Sequence, residues 1–192
     1  MQYLTVGKRD FVYDSFRGVE DTDENSLKPV GGVWLTQYNN QYYNEWVEFI
    51  LDDPVLLVYK NKGSSIWKQP CSLVTLKESA NIFNLANQND LDYLKQRYPL
   101  PGDKFSYKAM SSIYDGIFVN MYSLLRDVKD KGTRERLYKF GVNSLNLFNL
   151  DCIDYYQSGF VLIDPFDFEF GCVEAPSYEI SIDDTKKRIL KK

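Results

Sequence analysis

The sequence predicts an α+β fold. Strand-length runs of β-branched and aromatic residues dominate the chain, two or three segments of helical period interrupt them, and no regular βαβ alternation appears. At 192 residues with no internal repeat and no long linker, the chain reads as one domain over 1–192. Apolar residues make up 44% and aromatics 16%, enough to close a core and to leave rings for stacking.

Tyr3 to Gly7 is the first predicted strand, placed centrally. Residues 14–29 are acidic and polar and read as a surface loop or lid. Gly31-Gly32 then precedes a strand from Val33 to Tyr38, where glycine permits a tight turn or close approach to a ligand. A helix over 42–53 is ended by Pro54. Val55 to Lys60 and Cys71 to Leu76 are strands, separated by a turn over 61–65. Leu91, Leu94 and Tyr98, at spacings of three and four, mark a helix over Asn89 to Tyr98, stopped by Pro99 and Pro101.

Ile113 to Val119 reads as a strand around a central Asp-Gly pair, followed by helices from Tyr122 to Val128 and Thr133 to Phe140. Leu145 to Phe148, Cys152 to Tyr156, Phe160 to Ile163 and Tyr178 to Ile182 are the remaining strands. Residues 183–192 form a basic tail.

The charge of −4 and pI near 5.0 disfavour general polyanion binding. Lys129, Lys131, Arg134, Arg136 and Lys139 form a local basic group, read as a solvated helix face or a patch. Three widely spaced cysteines without a CxxC pair point to a reducing, cytoplasmic setting, and neither a leader peptide nor a membrane span is expected. With no histidine, imidazole general bases and Ser-His or Cys-His catalysis are excluded. No metal site is expected.

The run KPVGGVWLT over 28–36, followed by WVEF over 46–49, resembles a KPxGGLWxS … WxeW signature of a poorly characterised family. IYDGI over 113–117 resembles that family's YDGI strand, and NSLNLFN over 143–149 with DCI over 151–153 resembles its closing strand. The same order is similar to ADP-ribosyltransferase-like toxins and phage proteins. The resemblance implies a split mixed or antiparallel sheet core flanked by short helices. It also implies NAD as a substrate, cleaved through an oxocarbenium-like transition state that a carboxylate stabilises.

Carried onto this chain, Thr36 matches the family's middle-strand hydroxyl, flanked by Trp34 and Tyr38 and led by Gly32. Thr5 stands near the first-strand position that holds His or Arg in the family, with Arg9 four residues on. The family's catalytic glutamate position falls on Ser144, and Asp115 is the carboxylate that could take its place. Other readings stay open: Asp115-Gly116 as a bend, Gly31-Gly32 as a turn, Trp34 as core, Thr36 and Ser144 as ordinary strand residues.

The resemblance therefore implies an NAD-binding transferase, a viral or bacterial effector modifying a protein or nucleic acid. The missing first-strand His or Arg and the missing glutamate leave a rival: an inactive binding or inhibitor protein on the same scaffold. A third reading is an assembly component joined through aromatic patches.

Overall fold

The computed structural model describes residues 2–6, 16–21, 27–38, 45, 70–161 and 178–181. These residues are α+β, with mixed and antiparallel strands and short helices. They form two compact units, one of Met1–Asp14, Thr36–Glu78 and Ile153–Lys192, the other of Ser15–Leu35 and Ser79–Cys152. The backbone passes between units four times, after Asp14, Leu35, Glu78 and Cys152. Neither unit is a continuous stretch of sequence, so no linker or composition shift marks a boundary.

In the first unit the strand order is β10-β9-β3-β1-β2, all antiparallel: β1 Gln2–Val6, β2 Val33–Gln37, β3 Pro70–Leu76, β9 Ile153–Val161 and β10 Tyr178–Ser181. β1 is central as expected: Leu4 lies opposite Thr36 on one side and Leu73 on the other. Tyr3, Leu4, Val74, Ile153 and Tyr156 are buried. The two strands predicted at Cys152–Tyr156 and Phe160–Ile163 are a single β9, because β3 pairs along its whole length through two register shifts that absorb the irregularity. Of the helix expected over 42–53 only Glu45 is described, and it is helical. The strand expected at Val55–Lys60, the turn over 61–65 and the basic tail lie outside the described residues.

The second unit pairs β2, through Val33–Leu35, with β8 Ser144–Leu147, then β7 Gly116–Val119, then β4 Ile82–Leu85. β7 runs antiparallel to β8 and parallel to β4. A parallel pair needs a long crossover. Here it consists of α1 Gln88–Arg97, a hairpin of β5 Pro99–Leu100 and β6 Lys104–Phe105, and the short α2 Tyr107–Met110. Helices α3 Met121–Asp127 and α4 Lys131–Leu137 follow, the latter extended by a 3-10 turn at Tyr138–Phe140.

Ile117 and Val119 of β7 and Leu85 of β4 share one core with Leu91 and Leu94 of α1, Met110 of α2, Leu124 of α3 and Leu137 of α4. Each side chain is at most 1% exposed. Burying one such aliphatic side chain contributes about 1.5–3 kcal/mol, which outweighs the weak propensity of helices this short.

Several elements depart from the sequence reading. β4 and the β5–β6 hairpin were not foreseen, since four residues of IFNL carry no alternation and the prolines at 99 and 101 read only as stops. The strand expected from Ile113 begins at Gly116 instead. The Met110 carbonyl accepts from the amides of both Ile113 and Tyr114 at 2.9 Å, which folds residues 111–114 into a turn despite their β-propensity.

The surface loop or lid expected over 14–29 is, where described, exposed at Arg17, Gly18 and Glu20 but anchored to the core beside them. Val19 and Leu27 are in the core, and Glu20 and Val30 exchange backbone hydrogen bonds of 2.9 and 3.3 Å. The Asp21 carboxylate accepts from Ser106 Oγ at 2.7 Å and the Lys108 amide at 3.1 Å, and the Tyr107 hydroxyl donates to the Leu27 carbonyl. Acidic composition suggested exposure, but Asp21 is polar because it caps the chain entering α2. Burial, with the Asp21 charge second, pushes the Tyr107 phenol far above its ordinary value.

Of the basic group after residue 128, Lys131, Arg134 and Arg136 lie on α4, with Lys129 before it and Lys139 in the 3-10 turn after it: Arg136 lies 3.6 Å from Asp103, and Lys131 lies 3.8 Å from Glu135 one turn on. Among the described residues no helix is long and apolar enough to cross a membrane.

The helix ends make two predictions. Asn87 and Asp90 form a reciprocal cap on α1: the Asn87 side chain accepts from the Asp90 amide at 3.0 Å, and Asp90 Oδ2 accepts from the Asn87 amide at 3.1 Å. Asn87→Ala should lower stability by about 1 kcal/mol in urea unfolding, with an unchanged m-value. Asp130 caps α4, and hydrogen bonds from Thr133 hold its carboxyl below the usual range. A depressed carboxylate stabilises above its unfolded pKa and loses that effect as pH falls through the folded one. Asp130→Asn should therefore lower stability slightly at neutral pH, leave it nearly unchanged below the folded pKa, and so flatten the acid limb of the stability profile in urea unfolding across pH.

Candidate functional site

The glycine pair before β2 has both residues in the left-handed region, with φ of +79° at Gly31 and +67° at Gly32. The Gly32 amide donates to the Arg17 carbonyl at 2.8 Å, and Asn146 Nδ2 of β8 donates to the Gly31 carbonyl at 3.2 Å. A Cβ on Gly32 would overlap Asn146 Oδ1 and lie 2.7 Å from the Leu147 carbonyl. The pair is glycine because two chain segments pass this close. Asn146 is fully buried, and its Oδ1 has no hydrogen-bond donor among the described residues.

Trp34 sits opposite Asn146. Its ring meets Phe140 edge-on, 5.9 Å between centroids, and Lys28 Nζ lies 4.6 Å from its centroid. The half-buried ring thus joins the core on one side and takes a cation from the signature's own lysine.

Asp115 ends the turn before β7 and binds in four directions. Its Oδ2 accepts from the Asn81 amide at 2.8 Å and its Oδ1 from Asn149 Nδ2 at 2.8 Å. Its amide donates to the Asn81 carbonyl at 2.9 Å, and its carbonyl accepts from the Phe148 amide at 2.7 Å. The residue fastens the start of β4 and the end of β8 to the start of β7. Gly116 follows because a Cβ there would stand 2.7 Å from the Asn146 carbonyl.

Ser144, at the other end of β8, is 7% exposed, and its hydroxyl donates to the Val142 carbonyl at 2.9 Å. Ser144 lies opposite Val119 while Asp115 lies beside Phe148, four residues further along β8. At 3.3–3.4 Å per residue the two are about 13 Å apart, too far to act on one atom.

The first unit holds Thr5, Thr36 and Tyr38. Thr36 is opposite Leu4 and Thr5 is opposite Ser72, so alternation along β1 puts the two threonines on opposite faces of the sheet. Tyr38, whose amide donates to the Gln2 carbonyl at 3.0 Å, shares the Thr36 face, and burial raises its phenol. Thr36 is 4% exposed. Its Oγ1, with Thr75 Oγ1 and Ser72 Oγ, has no hydrogen-bond partner among the described residues. Arg9 lies outside the described residues.

A further cluster was not foreseen. Phe83 of β4 stacks on Tyr93 of α1 at 5.9 Å and 6°, and meets Tyr114 edge-on at 5.3 Å. Burial, then the hydrogen bond with Tyr93, pushes the Tyr114 phenol up to about 12. These rings come from three segments, one of them the unpredicted β4, so no sequence window contains the cluster.

Among the described residues no group of three or more Cys, Asp or Glu could hold a metal ion. Compared with known proteins, the chain gives no match: no family model, no curated protein and no solved structure aligns with it.

Gly32→Ala places a side chain at positive φ and against Asn146. It should destabilise the protein by about 2 kcal/mol or more, read as a lower denaturant midpoint, whereas alanine at Gly18, which has open space around it, should be nearly neutral.

Proposed function

We propose that the chain acts by binding another macromolecule without chemistry, on a scaffold of the ADP-ribosyltransferase-like kind that its signature resembles. The observation that carries this reading is the engagement of Asp115. ADP-ribosyl transfer needs a carboxylate facing the carbon that develops positive charge. Both oxygens of the candidate carboxylate here hold amides that fix strand ends. Ser144 offers only a hydroxyl, already donated to Val142. Thr5 supplies no positive charge where the family uses His or Arg to hold the dinucleotide.

One observation favours the rival reading, an NAD-binding transferase effector. Thr36 Oγ1, the hydroxyl matching the family's middle-strand position, is buried without a partner among the described residues on the face it shares with Tyr38. Such a group costs about 1–3 kcal/mol when left unmade, and a bound ribose hydroxyl would satisfy it.

NAD separates the two. On the binding reading, millimolar NAD leaves the melting temperature unchanged and no nicotinamide is released. Ligand at a hundredfold above Kd would stabilise by about 2.7 kcal/mol, well within detection. Asp115→Ala should lower stability through the orphaned Asn81 amide, yet leave the biological effect intact at permissive temperature. Nicotinamide release by the wild-type chain, lost in Thr36→Val with folding preserved, would reverse the conclusion.

A further inference from the structure

β4 pairs with β7 on one side, and among the described residues no strand pairs with its other side. The carbonyls of Asn81 and Leu85 accept from the amides of Asp115 and Asn120, each at 2.9 Å, so those two positions face β7. By the two-residue alternation of a strand, the N–H and C=O groups of Ile82 and Asn84 point outward. The sequence IFNL contains none of the prolines or charges that usually protect such an edge. A row of outward amides and carbonyls at strand spacing is matched by one kind of group, an extended polypeptide backbone.

Side chains beside the edge say more. Phe83, Tyr93 and Tyr114 form a continuous aromatic ledge next to it, with Tyr93 44% and Ile113 50% exposed. Two carboxylates stand beyond the Leu85 end of the edge: Asp127 accepts from the Gln88 amide at 2.7 Å, and Asp92 accepts from Gln88 Nε2 at 2.7 Å on α1. Each takes a hydrogen bond from a neutral group, and neither is ion-paired among the described residues.

We infer that the β4 edge docks an extended, basic segment of a partner protein. The segment adds a strand against Ile82 and Asn84, lays an aromatic or aliphatic side chain on the Phe83–Tyr93–Tyr114 ledge, and brings Lys or Arg to those two carboxylates and the ring faces. A second copy of the chain fits less well, because pairing two such edges would bring like charges together. The inference rests on the binding reading and names its site and partner class.

The test uses the full chain and two fluorescein-labelled hexapeptides, Lys-Tyr-Lys-Val-Lys-Phe and its counterpart with glutamate for lysine. Fluorescence anisotropy should show saturable, salt-sensitive binding of the lysine peptide alone. Amide hydrogen exchange at Ile82 and Asn84 should slow in the complex. Asn84→Pro removes an outward donor where an edge strand tolerates proline, and Tyr93→Ala removes the exposed ring. Each should weaken binding about tenfold, with unchanged far-UV circular dichroism. Asp92→Lys should weaken the lysine peptide and improve the glutamate one.

Equal binding of both peptides, no binding, or binding indifferent to Tyr93→Ala and Asn84→Pro would overturn the assignment. So would self-association in sedimentation velocity that Asn84→Pro abolishes, since the edge would then belong to a second copy. NAD turnover would defeat the non-catalytic reading while leaving the peptide result to stand or fall by itself.

Discussion

The second unit depends on the clasp at Asp115. A parallel strand pair has no tight turn to set its register, and the crossover between β4 and β7 runs through a helix, a hairpin and a further helical turn. The register is fixed instead where the strands begin. The carboxylate and amide of Asp115 take the amide and carbonyl of Asn81, while its own carbonyl and second oxygen hold Phe148 and Asn149 at the end of β8. Gly116, next in sequence, lets β7 and β8 approach closely enough for those bonds to form.

The same logic runs through the other signature residues. Gly32 is small where Asn146 passes, Asn146 binds the Gly31 carbonyl, Lys28 lies over Trp34, and Trp34 meets Phe140. Residues far apart in sequence, drawn from the KPVGG run, the YDGI run and the closing NSLNLFN run, touch one another or share strand pairs. The pattern behaves as a set of mutual packing constraints.

The binding reading we propose rests on where polar groups are already engaged. A carboxylate that anchors strand ends cannot swing toward a substrate without loosening the sheet, and strained or destabilised sites need compensation elsewhere. The β4 edge, where we propose that a partner docks, differs: its outward backbone groups and the exposed Tyr93 ring lie together, while Phe83 and Tyr114 also pack against the core.

The sequence by itself determined the α+β class and most elements with strong local signals. Leu91 and Leu94 marked α1, the glycine pair marked the entry to β2, and the first strand proved central. It also excluded imidazole chemistry outright. Only the tertiary structure decided that Val19 and Leu27 enter the core from an acidic segment, that IFNL is a strand, and that Thr5 and Thr36 face opposite ways. It alone gathered Phe83, Tyr93 and Tyr114, and separated Asp115 from Ser144 by the length of a ladder. The physical reason is that periodicity and propensity act between neighbours in sequence. Pairing register, burial of a polar segment and the meeting of rings are set by long-range contacts, here in a chain that threads repeatedly between its two units.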